Sequence, residues 1–326
     1  MIANAAADPF RFHGGRLAAA AARFLNAPTP WIDLSTGISP WAYPVPDMDQ
    51  SVHCRLPEPE KLRRLEAAAS HAFGVIDPAE VVAVPGSDIA IRLLAALFPG
   101  RRSAMLTPIF AGHRAAWPSA AEIAITDMIA GEYDQLILAN PNNPDGRIVP
   151  PHRLRKLHGQ LIVDEAFADT DPAISLLPGR GGAIVLRSFG KFFGLAGIRL
   201  GFVVADIPVA QRLRALLGDW PVSGMAIEIG LAAYQDQQWQ NDHRTALNKA
   251  AVRLDEMLEP GGLAIVGGTS LFRLAAHDRA GELFEHLARS GILVRPFKAD
   301  DRQLRFGLPA NEAAWERLSD VLKNWQ

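Results

Sequence analysis

Short apolar runs alternate with helical or turn segments between positions 81 and 205, and this alternation predicts a largely parallel β-sheet. The runs are continuously apolar rather than alternating with polar residues. Such runs indicate strands that helices cover on both faces of the sheet. The predicted strands span residues 81–84, 104–106, 136–139, 161–163, 183–186 and 200–205.

Longer helical patterns predominate after Pro208, and they predict a second, smaller lobe. Further apolar runs at 268–276, 291–297 and 304–307 predict strands of this lobe. The fold class expected is α/β, a mostly parallel central sheet with helices on both faces and a smaller α+β domain. The expected domains are a large one over 41–207, a small one over 208–326, and a segment, 1–40, that joins the small domain. Apolar residues at helical spacing in this region are Leu247, Ala251, Leu254, Leu258, Leu283, Leu287, Trp315, Leu318 and Leu322.

Composition and charge exclude several classes of function. The chain has 326 residues with 33 basic and 35 acidic side chains, so its net charge of −2 gives no electrostatic reason to expect a nucleic-acid or membrane partner. The single cysteine, Cys54, cannot form an internal disulfide, which suits a reducing cytoplasm. We expect no signal peptide, no membrane span and no metal site, and therefore a cytoplasmic globular protein.

Lys191 is the most informative residue, because phenylalanines, glycines and leucines surround it in the segment 186–199. A lysine amine must be neutral to attack a carbonyl group. Apolar surroundings and a nearby cation such as Arg199 favour that neutral form. The setting indicates a lysine that forms a Schiff base; a surface lysine on a flexible loop is the alternative.

Asp164 directly follows the apolar run 161–163 and lies 27 residues before Lys191. Ligands of open α/β sheets bind beyond the carboxyl ends of the strands, where Asp164 is expected. A lysine for an imine and an acid for a ring nitrogen are what pyridoxal 5'-phosphate (PLP) requires. The sequence therefore predicts PLP as the cofactor, with Lys191 and Asp164 as catalytic residues.

Other predicted cofactor contacts also follow predicted strands. Gly86, Ser87 and Asp88 precede a helix whose free N–H groups and dipole favour a phosphate, and Arg199 offers that phosphate a bidentate partner. A plain Gly-Ser turn is the alternative.

An aromatic and an amide follow the next two strands along the chain. Phe110 is expected to stack on the cofactor ring, with His113 near its edge, although a lone phenylalanine is more often part of a core. Asn143 is expected to donate to the phenolic oxygen of the cofactor and to approach the substrate. A rigid Pro/Asn/Gly turn is the alternative at 140–146.

The chain resembles the fold-type I PLP enzymes of the aspartate aminotransferase superfamily. The motifs that carry the resemblance are residues 85–87, 142–146, 163–167, 188–191 and 197–201, so Ser188 joins the expected cofactor contacts. Residues 291–295 and 303–307 resemble the branch that unites histidinol-phosphate aminotransferases and threonine-phosphate decarboxylases. There the resemblance implies that Arg305 takes the α-carboxylate of the substrate, and that the enzyme is a homodimer.

The N-terminal region is similar to the threonine-phosphate decarboxylases of cobalamin biosynthesis. His13, Gly14 and Gly15 stand at the expected distance from the segment 32–40, which contains Gly37. The resemblance implies that His13, Gly14 and Gly37 help to hold the substrate phosphate, and Arg295 is a further candidate. A flexible N-terminal turn is the alternative for 13–15.

Two departures weaken the aminotransferase interpretation. Phe167 stands where transaminases usually have a tyrosine, and Leu56 where they commonly place a tyrosine that reaches the neighbouring subunit's cofactor phosphate. The favoured function is decarboxylation of L-threonine O-3-phosphate to (R)-1-amino-2-propanol O-2-phosphate. A histidinol-phosphate aminotransferase is the closest alternative. A PLP-binding transcription regulator would need a further basic helix-turn-helix domain, and a catalytically silent scaffold is disfavoured while Lys191 and Asp164 are both present.

Overall fold

The computed structural model describes residues 9–11, 13–298 and 300–325, which form two compact units. One unit comprises residues 1–40 with 246–326, and the other comprises 41–245. We call them the discontinuous unit and the sheet unit. Among the described residues, no helix has both the length and the apolar character needed to cross a bilayer.

The helices of the described chain are short to medium in length, with several 3₁₀ turns between them. They are α1 (Leu17–Arg23), α2 (Ser51–Cys54), α3 (Pro59–Phe73), α4 (Ser87–Leu97), α5 (Ala111–Ala116), α6 (Pro151–Leu154), α7 (Phe189–Phe192), α8 (Ile207–Leu217), α9 (Gly224–Gln235), α10 (Gln237–Leu258), α11 (Ala280–Arg289) and α12 (Glu312–Lys323).

The strands of the described residues form three sheets. They are β1 (Ile32–Asp33), β2 (Val81–Val84), β3 (Ser103–Leu106), β4 (Ala121–Ile123), β5 (Gln135–Ala139), β6 (Gln160–Asp164), β7 (Ile184–Ser188), β8 (Gly201–Val204), β9 (Ala264–Thr269), β10 (Phe272–Ala276), β11 (Ile292–Leu293), β12 (Arg295–Pro296) and β13 (Gln303–Gly307).

The sheet unit is built on seven strands in the order β2-β8-β7-β6-β5-β3-β4. The pairs from β7 to β4 are parallel, whereas β8 runs antiparallel to both β7 and β2. The start of β8 therefore lies at the same edge as the ends of the parallel strands. The fold class predicted from the sequence is confirmed.

Helices cover both faces of this sheet. On one face Ile91 and Leu94 of α4 pack with Val82, Val203 and Leu213 in a fully buried apolar cluster. On the other face α3 and α9 pack together, and the ring of Phe202 meets those of Phe73 and Tyr234 at centroid distances of 5.8 and 5.4 Å. Apolar burial on both faces explains why the strands are continuously apolar in sequence.

The discontinuous unit contains two small sheets. β1 pairs in parallel with β11, matching Ile32 with Ile292, so the segment before position 40 joins the C-terminal strands. The second sheet is antiparallel, with the order β12-β13-β10-β9. In it Arg295 and Arg305 are directly paired neighbours on β12 and β13.

Several details differ from the sequence prediction. The predicted strand 291–297 is two short strands, β11 and β12, which belong to different sheets. β4 was not predicted, because its residues 121–123 are polar or partly exposed at a sheet edge. The predicted strand 268–276 is two strands, β9 and β10, which form a hairpin around residues 270 and 271. Residues 208–245 pack within the sheet unit rather than with the C-terminal residues, because α8 lies on α4 and α9 on α3.

An aromatic cluster supports the back of α7 within the sheet unit. The ring of Trp239 stacks on Phe193 at 5.7 Å and on His243 at 4.2 Å between centroids. His243 Nε2 lies 3.0 Å from the carbonyl oxygen of Phe192, so a neutral imidazole can donate to it. Burial lowers the pKa of His243 from about 6.5 to about 4, against a raising effect from that hydrogen bond.

We predict that His243 makes the stability of the protein depend on pH. Its pKa is lower in the folded state than in the unfolded state, so the free energy of unfolding falls as the pH drops from about 6.5 towards 4. The loss is on the order of 1–2 kcal/mol once partial solvent screening is allowed for. We expect this part of the pH dependence to disappear in the variant His243→Gln. The control variant His53→Gln, which changes an exposed histidine, should retain it. Urea denaturation across this pH range measures it; identical slopes in all three proteins contradict the prediction.

Candidate active site

A pocket opens at the edge of the sheet unit where the parallel strands end. Eight of the nine predicted cofactor contacts line it, and the ninth, Gly86, packs against one of them, Arg199. The remaining walls are apolar or small. The predicted contacts in the lining are Ser87, Asp88, Phe110, Asn143, Asp164, Ser188, Lys191 and Arg199.

Asp164 is the last residue of β6 and is almost completely buried. Its Oδ1 accepts from the backbone N–H of Ala166 at 3.0 Å, and its Oδ2 lies 2.9 Å from His113 Nε2. A carboxylate has about four lone-pair positions, so Asp164 can still accept from a protonated ring nitrogen in the pocket.

His113 is the functional residue whose role the sequence did not indicate. It was expected near the edge of the cofactor ring, whereas the structure places its fully buried side chain on Asp164. Its ring stacks on Trp117 and meets Phe110 edge-on, both with centroids 6.2 Å apart. The sequence signal was the helical spacing of Phe110, His113 and Trp117. This spacing says that they share a helix face, but not what they contact.

Lys191 lies on α7, immediately after β7. Its Nζ is 5.9 Å from the ring centroid of Phe167, and the neighbouring Phe189 and Phe192 are fully buried. Gly190 allows the turn at Ala196 to approach, since a Cβ at position 190 would lie 2.6 Å from Ala196 Cα. The sequence therefore holds the lysine on a short, tightly packed helix rather than on a flexible loop.

A cradle for an anion surrounds the start of α4. Gly86 precedes this helix with φ +88°, and no side chain caps the helix start. Arg199 adopts the left-handed conformation at φ 55°, and its Nη2 would lie 2.3 Å from a Cβ at position 86. Free N–H groups, the helix dipole and a guanidinium together fit a phosphate group.

Phe110 and Asn143 are held by their neighbours. Phe110 lies against Gly112, where a Cβ would come within 2.3 Å of its ring. Asn142 fixes the loop that carries Asn143 by donating to Pro108 O at 2.8 Å and to Asp145 Oδ1 at 2.7 Å. The pocket thus combines a flat ring, an amide, an acid, an amine and an anion cradle, and these groups fit PLP.

The other predicted substrate residues belong to the discontinuous unit. Arg305 Nη2 donates to Ser35 O at 3.0 Å. Gly14 packs on the same segment, since a Cβ there would lie 2.3 Å from Ser35 O. Gly37 is buried in that segment, and the side chain of His13 is exposed.

Arg295 and Arg305 form a buried pair of like charges. Burial lowers the pKa of Arg295 to about 10. It lowers the pKa of Arg305 well below its usual value; the charge of Arg295 lowers it further, and Asp33 acts in the opposite direction. Two desolvated guanidinium groups on neighbouring strands are costly unless an anion compensates them. The pair is therefore suited to a carboxylate or phosphate.

Comparison with known proteins identifies the family. The threonine-phosphate decarboxylase of Pseudomonas aeruginosa is 41% identical over 95% of this chain and 96% of its own length. That of Sinorhizobium sp. is 38% identical over 95% and 97%. The PLP-bound histidinol-phosphate aminotransferase structure from Sinorhizobium meliloti covers all of both chains with a TM-score of 0.78 and 19% identity, which shows the fold. The sequence profile of the aminotransferase class I and II family matches residues 118–320. The predicted resemblance is thus confirmed, and the chain belongs to the aminotransferase class I and II family.

Proposed function

We propose that the protein decarboxylates L-threonine O-3-phosphate to (R)-1-amino-2-propanol O-2-phosphate, a step in cobalamin biosynthesis, with PLP as cofactor. The observation that carries the proposal is the 41% identity to a threonine-phosphate decarboxylase over nearly the whole of both chains. The substrate loses only carbon dioxide, and its amine remains in the product. The reaction therefore consumes no second substrate.

Lys191 and Asp164 supply the two contacts that PLP chemistry needs. PLP, when bound, withdraws electrons from the α-carbon of an amino acid. With the cofactor bound, the Lys191 amine would hold it through its aldehyde carbon. When the substrate amine has taken that place, the Lys191 amine would be positioned to deliver a proton to the α-carbon that has lost carbon dioxide. Asp164, held by His113 and Ala166, keeps the proton on the ring nitrogen.

Anchoring the two ends of the substrate sets which bond breaks. The bond that stands perpendicular to the cofactor ring is the one that the ring weakens, and a decarboxylase must place the carboxylate bond there. We assign the carboxylate to Arg305 and the phosphate to Arg295, His13, Gly14 and Gly37. Binding energy at the remote phosphate can then orient the reacting bond.

Phe167 supports a decarboxylase over a transaminase. Its apolar ring lines the pocket and faces Lys191 Nζ, where a tyrosine would bring a hydroxyl group to the cofactor. Asn143 is then the side chain that we assign to the phenolic oxygen.

We also propose that the enzyme is a cytoplasmic homodimer. Large apolar side chains are exposed in the sheet unit, including Leu56, Trp220 and Ile89. Ile89 directly follows the pocket residue Asp88 in the sequence. Contiguous exposed apolar surface favours association of subunits, and a second copy of the chain is the partner that we propose for these side chains. A cytoplasmic location agrees with the single cysteine, Cys54, which is free and exposed.

The reaction class is tested by supplying the protein with PLP and L-threonine O-3-phosphate. We expect carbon dioxide release that needs no keto acid, with one aminopropanol phosphate formed for each carbon dioxide. The measurement is carbon dioxide trapping together with mass spectrometry of the product. Amino transfer that depends on a keto acid and releases no carbon dioxide would show that the enzyme is an aminotransferase and not a decarboxylase. Activity with histidinol phosphate instead of threonine phosphate would show the same.

The attachment of the cofactor is tested by borohydride reduction of the PLP-loaded protein followed by peptide mapping. We expect the pyridoxyl label on Lys191 alone, because its amine lies in the pocket with Asp164. In Lys191→Ala the visible absorbance of the bound cofactor and the label both disappear. The exposed Lys323→Ala variant should retain both. A label on any other lysine rejects the assignment.

The carboxylate assignment is tested with Arg305→Gln. Charge-assisted hydrogen bonds are worth about 1.5–3 kcal/mol, so we expect kcat/KM to fall by roughly 10- to 100-fold. Cofactor affinity should stay unchanged, because Arg305 is assigned to the substrate. Arg289→Gln is the matched control, since its side chain is exposed on α11. Steady-state kinetics and PLP titration measure both effects; a variant with unaltered kcat/KM would remove Arg305 from the site.

A further inference from the structure

A buried group of charges lies behind the pocket, and the catalytic residues do not use it. Arg187 is 3% exposed, and its guanidinium contacts Glu165 Oε2 at 3.3 Å and donates to Asp169 Oδ1 at 2.5 Å and to Ser175 Oγ at 3.0 Å. Ser175 Oγ in turn donates to Glu165 Oε2 at 2.6 Å. We call Arg187, Glu165, Asp169 and Ser175 the charge bridge.

The charge bridge begins where the backbone pairing of β6 and β7 ends. The last paired residues are Asp164 and Leu186, and one further backbone bond runs from Glu165 N to Leu186 O at 2.9 Å. Beyond this point the chain after β6 enters a 3₁₀ turn, while the chain after β7 enters α7. The side chain of Arg187 reaches from β7 to the segment after β6, across the gap where the two chains separate.

Each end of the charge bridge is next to a residue of the pocket. Glu165 follows Asp164, and Arg187 precedes Ser188 and lies four positions before Lys191. Successive side chains of a strand point to opposite faces, so the pocket residues face one way and the bridge residues the other. A shift at the bridge therefore moves the acid and the amine relative to each other.

The bridge charges are balanced within the sheet unit. Burial raises the pKa of Glu165 and of Asp169, and in both cases the charge of Arg187 opposes that increase. Arg244 donates through Nε to Asp169 O at 2.9 Å and lies over the ring of Phe192, next to Lys191, at 5.2 Å. Removal of Arg187 would leave two buried carboxylates facing one remaining cation.

We propose that Arg187 is a positioning residue that sets the separation between Asp164 and Lys191. It does not line the pocket and acts through Glu165, Asp169 and Ser175. The proposal rests on the proposed roles of Lys191 and Asp164 in holding PLP. Its physical basis is that displacement of reacting groups by about 1 Å can reduce a rate by about 10²-fold.

The fold offers a matched control at the opposite end of the same strand. Arg180 precedes β7, is also buried, and joins two carboxylates: it donates to Glu80 Oε1 at 2.7 Å and to Asp206 Oδ1 at 2.6 Å. It belongs to neither the pocket nor the charge bridge. Arg180→Gln therefore removes a similar buried arginine without altering the carboxyl end of the strand.

The experiment compares Arg187→Gln with Arg180→Gln in the full-length enzyme. Each is measured for thermal stability, for PLP affinity of the apoprotein, and for the pH at which the visible absorbance of the lysine-bound cofactor changes. We expect both variants to lose stability. Only Arg187→Gln should bind PLP at least tenfold more weakly, shift that pH and lower kcat by roughly 10²-fold.

Two milder variants keep the test informative if Arg187→Gln does not fold. Arg187→Lys keeps the charge and should recover part of the PLP affinity and of the pH profile. Ser175→Ala removes one hydroxyl group from the bridge and should change both in the same direction by a smaller factor. If these variants and Arg187→Gln bind PLP as the wild type does, with an unchanged pH profile, the proposal is wrong. A wild type that binds no PLP at Lys191 would instead overturn the proposed function.

Discussion

The structure depends on the end of β6, where two consecutive carboxylates point to opposite sides of the sheet. Asp164 enters the pocket and is held by His113. Glu165 turns away and meets Arg187 in a fully buried environment. A buried carboxylate is costly unless charge and hydrogen bonds compensate it. The same strand end therefore carries both the carboxylate of the pocket and a buried carboxylate that packs behind the sheet.

The one antiparallel strand of the central sheet brings a cation to the cofactor edge. The strands β2, β3, β5, β6 and β7 contribute pocket residues at or after their ends, whereas β8 contributes one from its start. Arg199 precedes β8 and thereby comes beside Gly86, which follows the neighbouring strand β2. The geometry of the anion cradle thus results from strand direction as much as from the glycine and the arginine.

The sequence predicted those parts of the fold and site that local pattern determines. Six strands of the central sheet were predicted from continuous apolar runs, Asp164 was proposed from its position after such a run, and Lys191 was proposed from its apolar surroundings. Contacts between distant segments could not be predicted in this way: nothing local indicates that His113 meets Asp164, or that Arg187 meets Glu165. The packing of 208–245 within the sheet unit was missed for the same reason, because helical periodicity does not say which surface a helix covers.

The tight packing of Gly86 against Arg199 restricts how the cofactor specificity of this scaffold can be redesigned. A methyl group at position 86 would displace the end of the Arg199 side chain, and any side chain there is strained because the backbone φ is +88°. Shortening the side chain at 199 would open space beside position 86, but it would leave the backbone strain of a substitution at 86 unchanged. Libraries that aim at phosphate-free cofactor analogues therefore need to keep glycine at 86 and vary position 199.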